Sequence, residues 1–333
     1  MRILSNQRFS QIMRVLPVLV LILVNSSLIA RNEIRYYNIY FAAGDFKNKN
    51  ILVIRKFEQE GKKYYIGVDP DNIETLIIPS NQIYVEPISW PQILIQYNNT
   101  AFIRAIQAAK KQSFSLQNSG IIHGFRKGNG VSLTIDLCPS NKPLDRIIFT
   151  KLIPAFQRFG KPVPIALSIT GRFILTHSED LFWLKGLITA EEISVTWINH
   201  TYNHRFNPKV PLNQNFLLEP NTDLNFEILE TEIALLQHGL LPSVFFRFPG
   251  LVSDHNMMDK VTDYGLIPIG SDAWLAKGEP IRPGSIVLIH GNGNEPLGIS
   301  DFMRLLQAEK SSIMKREWLL YDLRESLENE FQQ

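Results

Sequence analysis

One cysteine, Cys138, stands in a chain of 333 residues, so no disulfide can form within it. The chain is long enough to build an adequate core without one. A strong charge of either sign is also missing: 34 Lys and Arg face 32 Asp and Glu, a formal net charge of +2. With no dense basic stripe and no zinc-finger spacing, nothing argues for a nucleic-acid partner. Apolar runs stop short of the roughly 20 residues that span a bilayer comfortably. Internal repeats and low-complexity segments are absent too. What remains is an ordinary globular balance, 45% hydrophobic and 20% charged, enough for one large domain or two smaller ones.

The first thirty residues lack acid altogether. They carry Arg2, Arg8 and Arg14, then the apolar run VLPVLVLILV, and end in small and polar residues at Ala30. A basic stretch, a short apolar core and a terminal alanine describe a secretory signal peptide. Leu28 is bulkier than the small residue preferred there before a cut, so a membrane tether through residues 15–30 is the alternative. Either way the protein is expected to be exported, periplasmic or extracellular. Cleavage would remove three arginines and leave 31 basic against 32 acidic residues.

Residues 31–120 read as a small β-rich accessory module. IRYYNIYF, NILVIRKF, KKYYIGVD and ETLIIPSNQIYVEPI are β-branched and aromatic runs, broken by turn chemistry at GDFKNKN, EQEGKK and DPDN. TAFIRAIQAAKKQ is helix-like, and NSGIIHGFRKGNG is a glycine-rich link. From residue 121 onward strands and helices alternate. VSLTID, VPIALSIT, ISVTWI, PSVFFRF, LIPIG and SIVLIH are strand-like; PLDRIIFTKLIPAFQRFG, SEDLFWLKGL and NTDLNFEILETEIALLQHG are helix-like, with Pro143 early in the first and Ser178 opening the second. Repeated β-then-α units predict an α/β fold: a parallel sheet or barrel over residues 121–333 with helices outside.

In such folds chemistry sits at the C-terminal ends of the strands. VSLTI ends in Asp136, ISVTWI in Asn199 and His200 with His204 beyond, PSVFF in Arg247, LIPIG leads to Asp272 and Trp274, and SIVLI ends in His290. His200 and His204, spaced i and i+4, share a face if their segment turns helical, and are then placed to bind one divalent ion through neutral imidazoles. Such an ion lowers the pKa of bound water towards about 7. Asp136 is a candidate base, held ionised by Arg247. His290 is a candidate acid for a leaving amine, with Asp272 fixing its tautomer. Trp274 is a candidate face for stacking on sugar, with a place in the core as its bland alternative. The bland readings of the others are a polar loop pair for the histidines, capping for Asp136 and Asp272, a salt bridge for Arg247 and a turn at His290.

SLTIDLCPS, NHTYNH, FFRFPG, SDAW and IVLIHG follow the order and spacing of the polysaccharide deacetylase family, the NodB-homology carbohydrate esterases of family 4. The resemblance covers roughly Asn129 to Asn294. It implies a distorted (β/α) barrel, a zinc-type divalent ion, and a hydrolase acting on carbon–nitrogen bonds that removes N-acetyl groups from a glycan. By position Asp136 matches the base, His200 and His204 the metal ligands, Arg247 the support of the base and His290 the acid; Asp272 falls in the motif that supports the acid. The chain departs from the pattern at the third metal ligand: where the family places a second aspartate this chain has Leu137, followed by Cys138 instead of glycine. Candidates for the missing ligand are Asp136 itself, Cys138 as thiolate, or Asp272; the bland reading of Cys138 is a small buried hydrophobe. An inactive carbohydrate-binding relic of the fold is the rival to the hydrolase.

Overall fold

The structure, a computed structural model, describes residues 33–112, 116–125 and 129–331. The proposed export segment lies outside them. Among the described residues no helix is long and apolar enough to cross a membrane.

Five antiparallel strands come first: β1 (Ile34–Phe46), β2 (Lys49–Gln59), β3 (Lys62–Val68), β4 (Thr75–Pro79) and β5 (Val85–Pro87), in spatial order β4-β3-β2-β1-β5. Two-residue hairpins at Lys47–Asn48 and Glu60–Gly61 join the first three. All four of those residues have positive φ, which suits the right-handed twist of the flanking strands. The helix Ala101–Lys111 follows, capped by Thr100, whose hydroxyl accepts from the Ile103 amide.

Seven parallel strands make the second sheet: β6 (Ser132–Leu137), β7 (Val163–Ile169), β8 (Ile193–Asn199), β9 (Phe245–Phe246), β10 (Ile267–Pro268), β11 (Ala273–Trp274) and β12 (Ile286–His290), in spatial order β10-β9-β8-β7-β6-β12-β11. Chain order forces this sheet to curl. Its two edges, β10 and β11, are separated by residues 269–272 alone, a link that reaches about 18 Å at full stretch. A flat sheet of this width would hold its edges about 29 Å apart. The result is the distorted (β/α) barrel expected from the sequence. The glycine-rich link helps to close it: Ile121 bridges Ile269 and His123 bridges Ser285. Gly120 (φ +103°) lies so close that a Cβ there would stand 2.6 Å from the Pro268 carbonyl oxygen.

Strand alternation sorts the side chains. Leu133, Ile135, Leu137, Leu167, Ile169, Val287 and Ile289 share one core with the outer helices Ile147–Phe156, Ser178–Thr189 and Pro296–Ala308. Thr134, Asp136, Ser168 and Leu288 are the alternate residues, on the inner face. The first of those helices begins at Ile147, later than Pro143 suggested, and the second is preceded by His177 rather than capped by Ser178. The antiparallel sheet is not set apart from the barrel. Leu52, Ile54, Phe57, Ile66 and Phe102 lie in one continuous core with Ala166, Ile198, Phe245, Ile267 and Ile286.

Candidate active site

Four strands deliver polar groups to one place. Asp136 sits on β6 and is 3% exposed. Arg247, just beyond β9, is wholly buried and donates from Nη1 to Asp136 Oδ1 (2.8 Å) and to Thr134 Oγ1 (2.7 Å), and from Nη2 to the Gly270 carbonyl (2.9 Å). Burial raises the pKa of the Asp136 carboxyl, but the charge of Arg247, helped by His200 and His290, outweighs it and holds the group below the usual carboxylate range. Its second oxygen, Oδ2, lies 3.6 Å from His200 Nε2.

The histidine pair reaches the site without a helix. Residues 200–204 form an irregular loop in which Thr201 (φ 68°) and His204 (φ 49°) are left-handed. Such conformations cost about 1–3 kcal/mol each and persist where the surroundings impose them. Here Glu227, in the first turn of the helix Leu224–Gln237, accepts from the amides of Tyr202 (2.9 Å) and Asn203 (2.8 Å) and from Asn203 Nδ2 (2.7 Å). Asn199 Oδ1 accepts from the Thr201 amide (3.0 Å), and Gly171 and Arg172 donate to the carbonyls of Thr201 and Tyr202. The Tyr202 ring packs where Gly171 has no Cβ. His200 Nδ1 lies 2.9 Å from the Arg247 carbonyl, which can only accept, so Nδ1 carries a hydrogen and Nε2 is the nitrogen turned to Cys138 and Asp136.

Both Nε2 atoms, of His200 and of His204, lie 3.6 Å from Cys138 Sγ. The three candidate ligand atoms fall within 4.8 Å of one another, and among the described residues this is the group placed to hold a metal ion. Burial opposes ionisation of Cys138; His204, His200 and His290 outweigh it and put the thiol well below its ordinary value. Leu137 points the other way, into the core beneath the outer helices.

His290 ends β12. Its Nδ1 lies 2.8 Å from Glu295 Oε2, an ion-pair distance off the line of an ideal hydrogen bond. Burial would lower its pKa, but Cys138, Glu295 and Asp136 together push it up to about 11. Glu295 also accepts from the Trp274 indole Nε1 (2.7 Å).

Two expectations are corrected here. Asp272 does not orient His290. Its Oδ2 pairs with His123 Nδ1 (2.7 Å) and its Oδ1 accepts from the Ile286 amide, at the first residue of β12. His290 lies four residues, about 13 Å, further along that strand. The residue before β11 therefore cannot reach the acid at the end of β12, and Glu295 takes that place. Nor is Trp274 an open sugar platform. It is 8% exposed, packs with Leu251 and Leu288, and carries the Lys277 ammonium 3.6 Å above its ring centroid.

Besides His290 Nδ1, which meets Glu295 at ion-pair distance, four buried polar atoms have no hydrogen-bond partner among the described residues: Ser168 Oγ, Thr201 Oγ1, Arg247 Nε and Asn292 Oδ1. Ser168 pairs across the ladder with Asp136, and the others flank His200, Asp136 and His290 in sequence or contact. Most buried polar groups are satisfied, so their concentration here marks the site. A cavity of about 400 Å³ adjoins it, lined by Thr201, Asn203, His204, Phe216, Glu227 and Pro249 among others.

No protein-family profile matches the chain. Solved structures do. The neighbours are family 4 carbohydrate esterases. A family 4 pseudoenzyme from Bacillus anthracis aligns at 16% identity over 64% of this chain and 70% of its own, with a TM-score of 0.42. A family 4 carbohydrate esterase from the same organism aligns at 18% identity over 63% of this chain and 87% of its own (TM-score 0.43). A third, from Bacillus subtilis, aligns at 14% identity over 65% and 94% (TM-score 0.43).

Proposed function

We propose that this chain is a metal-dependent hydrolase that removes N-acetyl groups from an amino-sugar polymer or a related amide. The observation that carries the proposal is the convergence of Asp136, His200, His204 and His290 at strand ends, with the carboxylate held by Arg247 and the acid by Glu295. The donor set fits a divalent ion of zinc type: His200 presents its Nε2, and His204 presents its own beside it. Such an ion supplies Lewis acidity, polarising an acyl carbonyl and acidifying water. The protein's own residues do the rest. Asp136, with Oδ1 fixed by Arg247 and Oδ2 free, takes the proton of the attacking water. His290, cationic beside Glu295, delivers a proton to the leaving nitrogen. The cavity beside His204 accepts the neighbouring sugar.

Acetate release from oligomers of N-acetylglucosamine, with zinc supplied, tests this reading. Turnover that is lost in His200→Ala is the expected result. Oligosaccharide binding without turnover under any divalent ion would assign the chain to the inactive relic. We also propose that residues 1–30 direct export; the mass of the N-terminal peptide from protein isolated outside the cytoplasm distinguishes cleavage from anchoring.

A further inference from the structure

We propose that Cys138, as a thiolate, is the third protein ligand of the metal, making a Cys-His-His site selective for thiophilic cations. The inference rests on the metal site of the reading above and not on its substrate. Strand geometry accounts for the exchange of ligands. From Asp136 the side chains alternate, so Leu137 enters the outer core and Cys138 returns to the inner side. The cysteine is anchored there, because its carbonyl accepts from Asn292 Nδ2 and the preceding carbonyl accepts from Thr170 Oγ1 (3.0 Å).

Two of the three ligand separations match a metal tetrahedron, and the third, between the two imidazole nitrogens, lies within 4.8 Å against the about 3.3 Å that a tetrahedral ion sets. With Zn–S near 2.3 Å and Zn–N near 2.0–2.1 Å, adjacent S and N ligands stand about 3.6 Å apart. Cys138 Sγ is 3.6 Å from His200 Nε2 and 3.6 Å from His204 Nε2. Three protein ligands leave one position for water or substrate, as a catalytic site requires. The other two candidates drop out. Asp136 commits Oδ1 to Arg247 and, in the reading above, Oδ2 to the attacking water, and Asp272 is bound to His123. His200 also has the outer support expected of a metal ligand, its Nδ1–H on a backbone carbonyl. A thiolate among imidazoles favours zinc or cobalt over magnesium, manganese or calcium, which prefer oxygen.

The experiment is a cobalt(II) titration of the metal-free full chain, followed by absorbance. One equivalent should produce a near-ultraviolet thiolate-to-cobalt band and the intense visible bands of a tetrahedral ion. A tenfold excess of magnesium should leave both unchanged. Cys138→Ser should lose the ultraviolet band and weaken cobalt binding by at least about 100-fold, more than loss of an outer-shell partner costs. Zinc-edge X-ray absorption of the unaltered protein gives the same answer without a variant: one sulfur scatterer near 2.3 Å, the distance of a cysteine thiolate, and Cys138 is the single cysteine of the chain. Cobalt or zinc bound without sulfur, or no binding at all, overturns the proposal. Sulfur ligation without acetate release would instead spare it and sink the substrate reading.

Discussion

Two arginines in this fold are withdrawn from water, and their surroundings differ. Arg55, on β2, is 1% exposed and grips Glu232 with two parallel bonds, Nε to Oε2 (2.7 Å) and Nη2 to Oε1 (3.0 Å). Its Nη1 donates to the carbonyls of Ile54 and Tyr264, and the Tyr37 hydroxyl adds a further donor to Glu232. Every nitrogen of the guanidinium is used and both carboxylate oxygens are engaged. This pair stitches the antiparallel sheet to the helix Leu224–Gln237. Arg247 holds Asp136 by one oxygen only, and its own Nε has no partner among the described residues. A saturated pair fixes architecture; an unsaturated one keeps bonding capacity for chemistry. The orphan polar atoms of Ser168, Thr201 and Asn292 belong with Asp136, His200 and Cys138, on the side of the second arginine's carboxylate.

The comparison can be broken by substitution. Arg55→Met leaves Glu232 buried and unpaired and should lower the free energy of unfolding by about 3–5 kcal/mol, read from urea transitions. Adding Glu232→Leu should recover most of that loss, as apolar replacement of a whole buried pair often does. A neutral Arg55→Met would erase the distinction. Asp136→Asn should cut acetate release by about 10²–10⁴-fold, the usual worth of a positioned base. Its stability should fall by only about 1.5–3 kcal/mol, one charge-assisted bond, because Thr134 and Gly270 still hold Arg247.

Smaller changes sharpen the picture around His290. Glu295→Gln keeps the shape and removes the charge beside the acid. Turnover should drop about 10–100-fold, the equivalent of a charged hydrogen bond, with little change in thermal midpoint because this carboxylate is partly exposed. Trp274→Phe removes the indole donor to Glu295 with part of the ring's packing and should cost at most about tenfold in the same assay. A larger loss would restore Trp274 to direct work on the sugar.

Much of this was legible in the sequence, for a physical reason. Buried parallel strands are continuous apolar runs, so β6, β7, β8 and β12 stand out, and the polar residues at the ends of β6, β8 and β12 mark the site. Short ladders are harder. LIPIG reads as a strand leading to Asp272, yet pairing stops at Pro268 and resumes at Ala273, so Asp272 precedes a strand instead of following one. The i, i+4 spacing of the histidines suggested a helical turn; left-handed Thr201 and His204, clamped by Glu227, bring the rings together by another route. Cys138 lies two residues from Asp136, and alternation alone would have put it on the same side. Glu227 had no local signal, because its role exists only through contacts with a distant loop, and Glu295 follows His290 by five residues in a turn that no motif marks.

The first strand of the barrel has a temporal consequence. β6 is hydrogen-bonded to β12, so Asp136 lies in register with His290, a residue 154 positions later. Such distant pairing must wait for nearly the whole chain and is intrinsically slow. Cys138 and the histidine loop belong to the earlier part of the sequence, whereas His290 ends the last strand of the sheet. The proposed base and acid are therefore brought side by side only by the pairing of β12 with β6, the strand pairing of this sheet that spans the most chain.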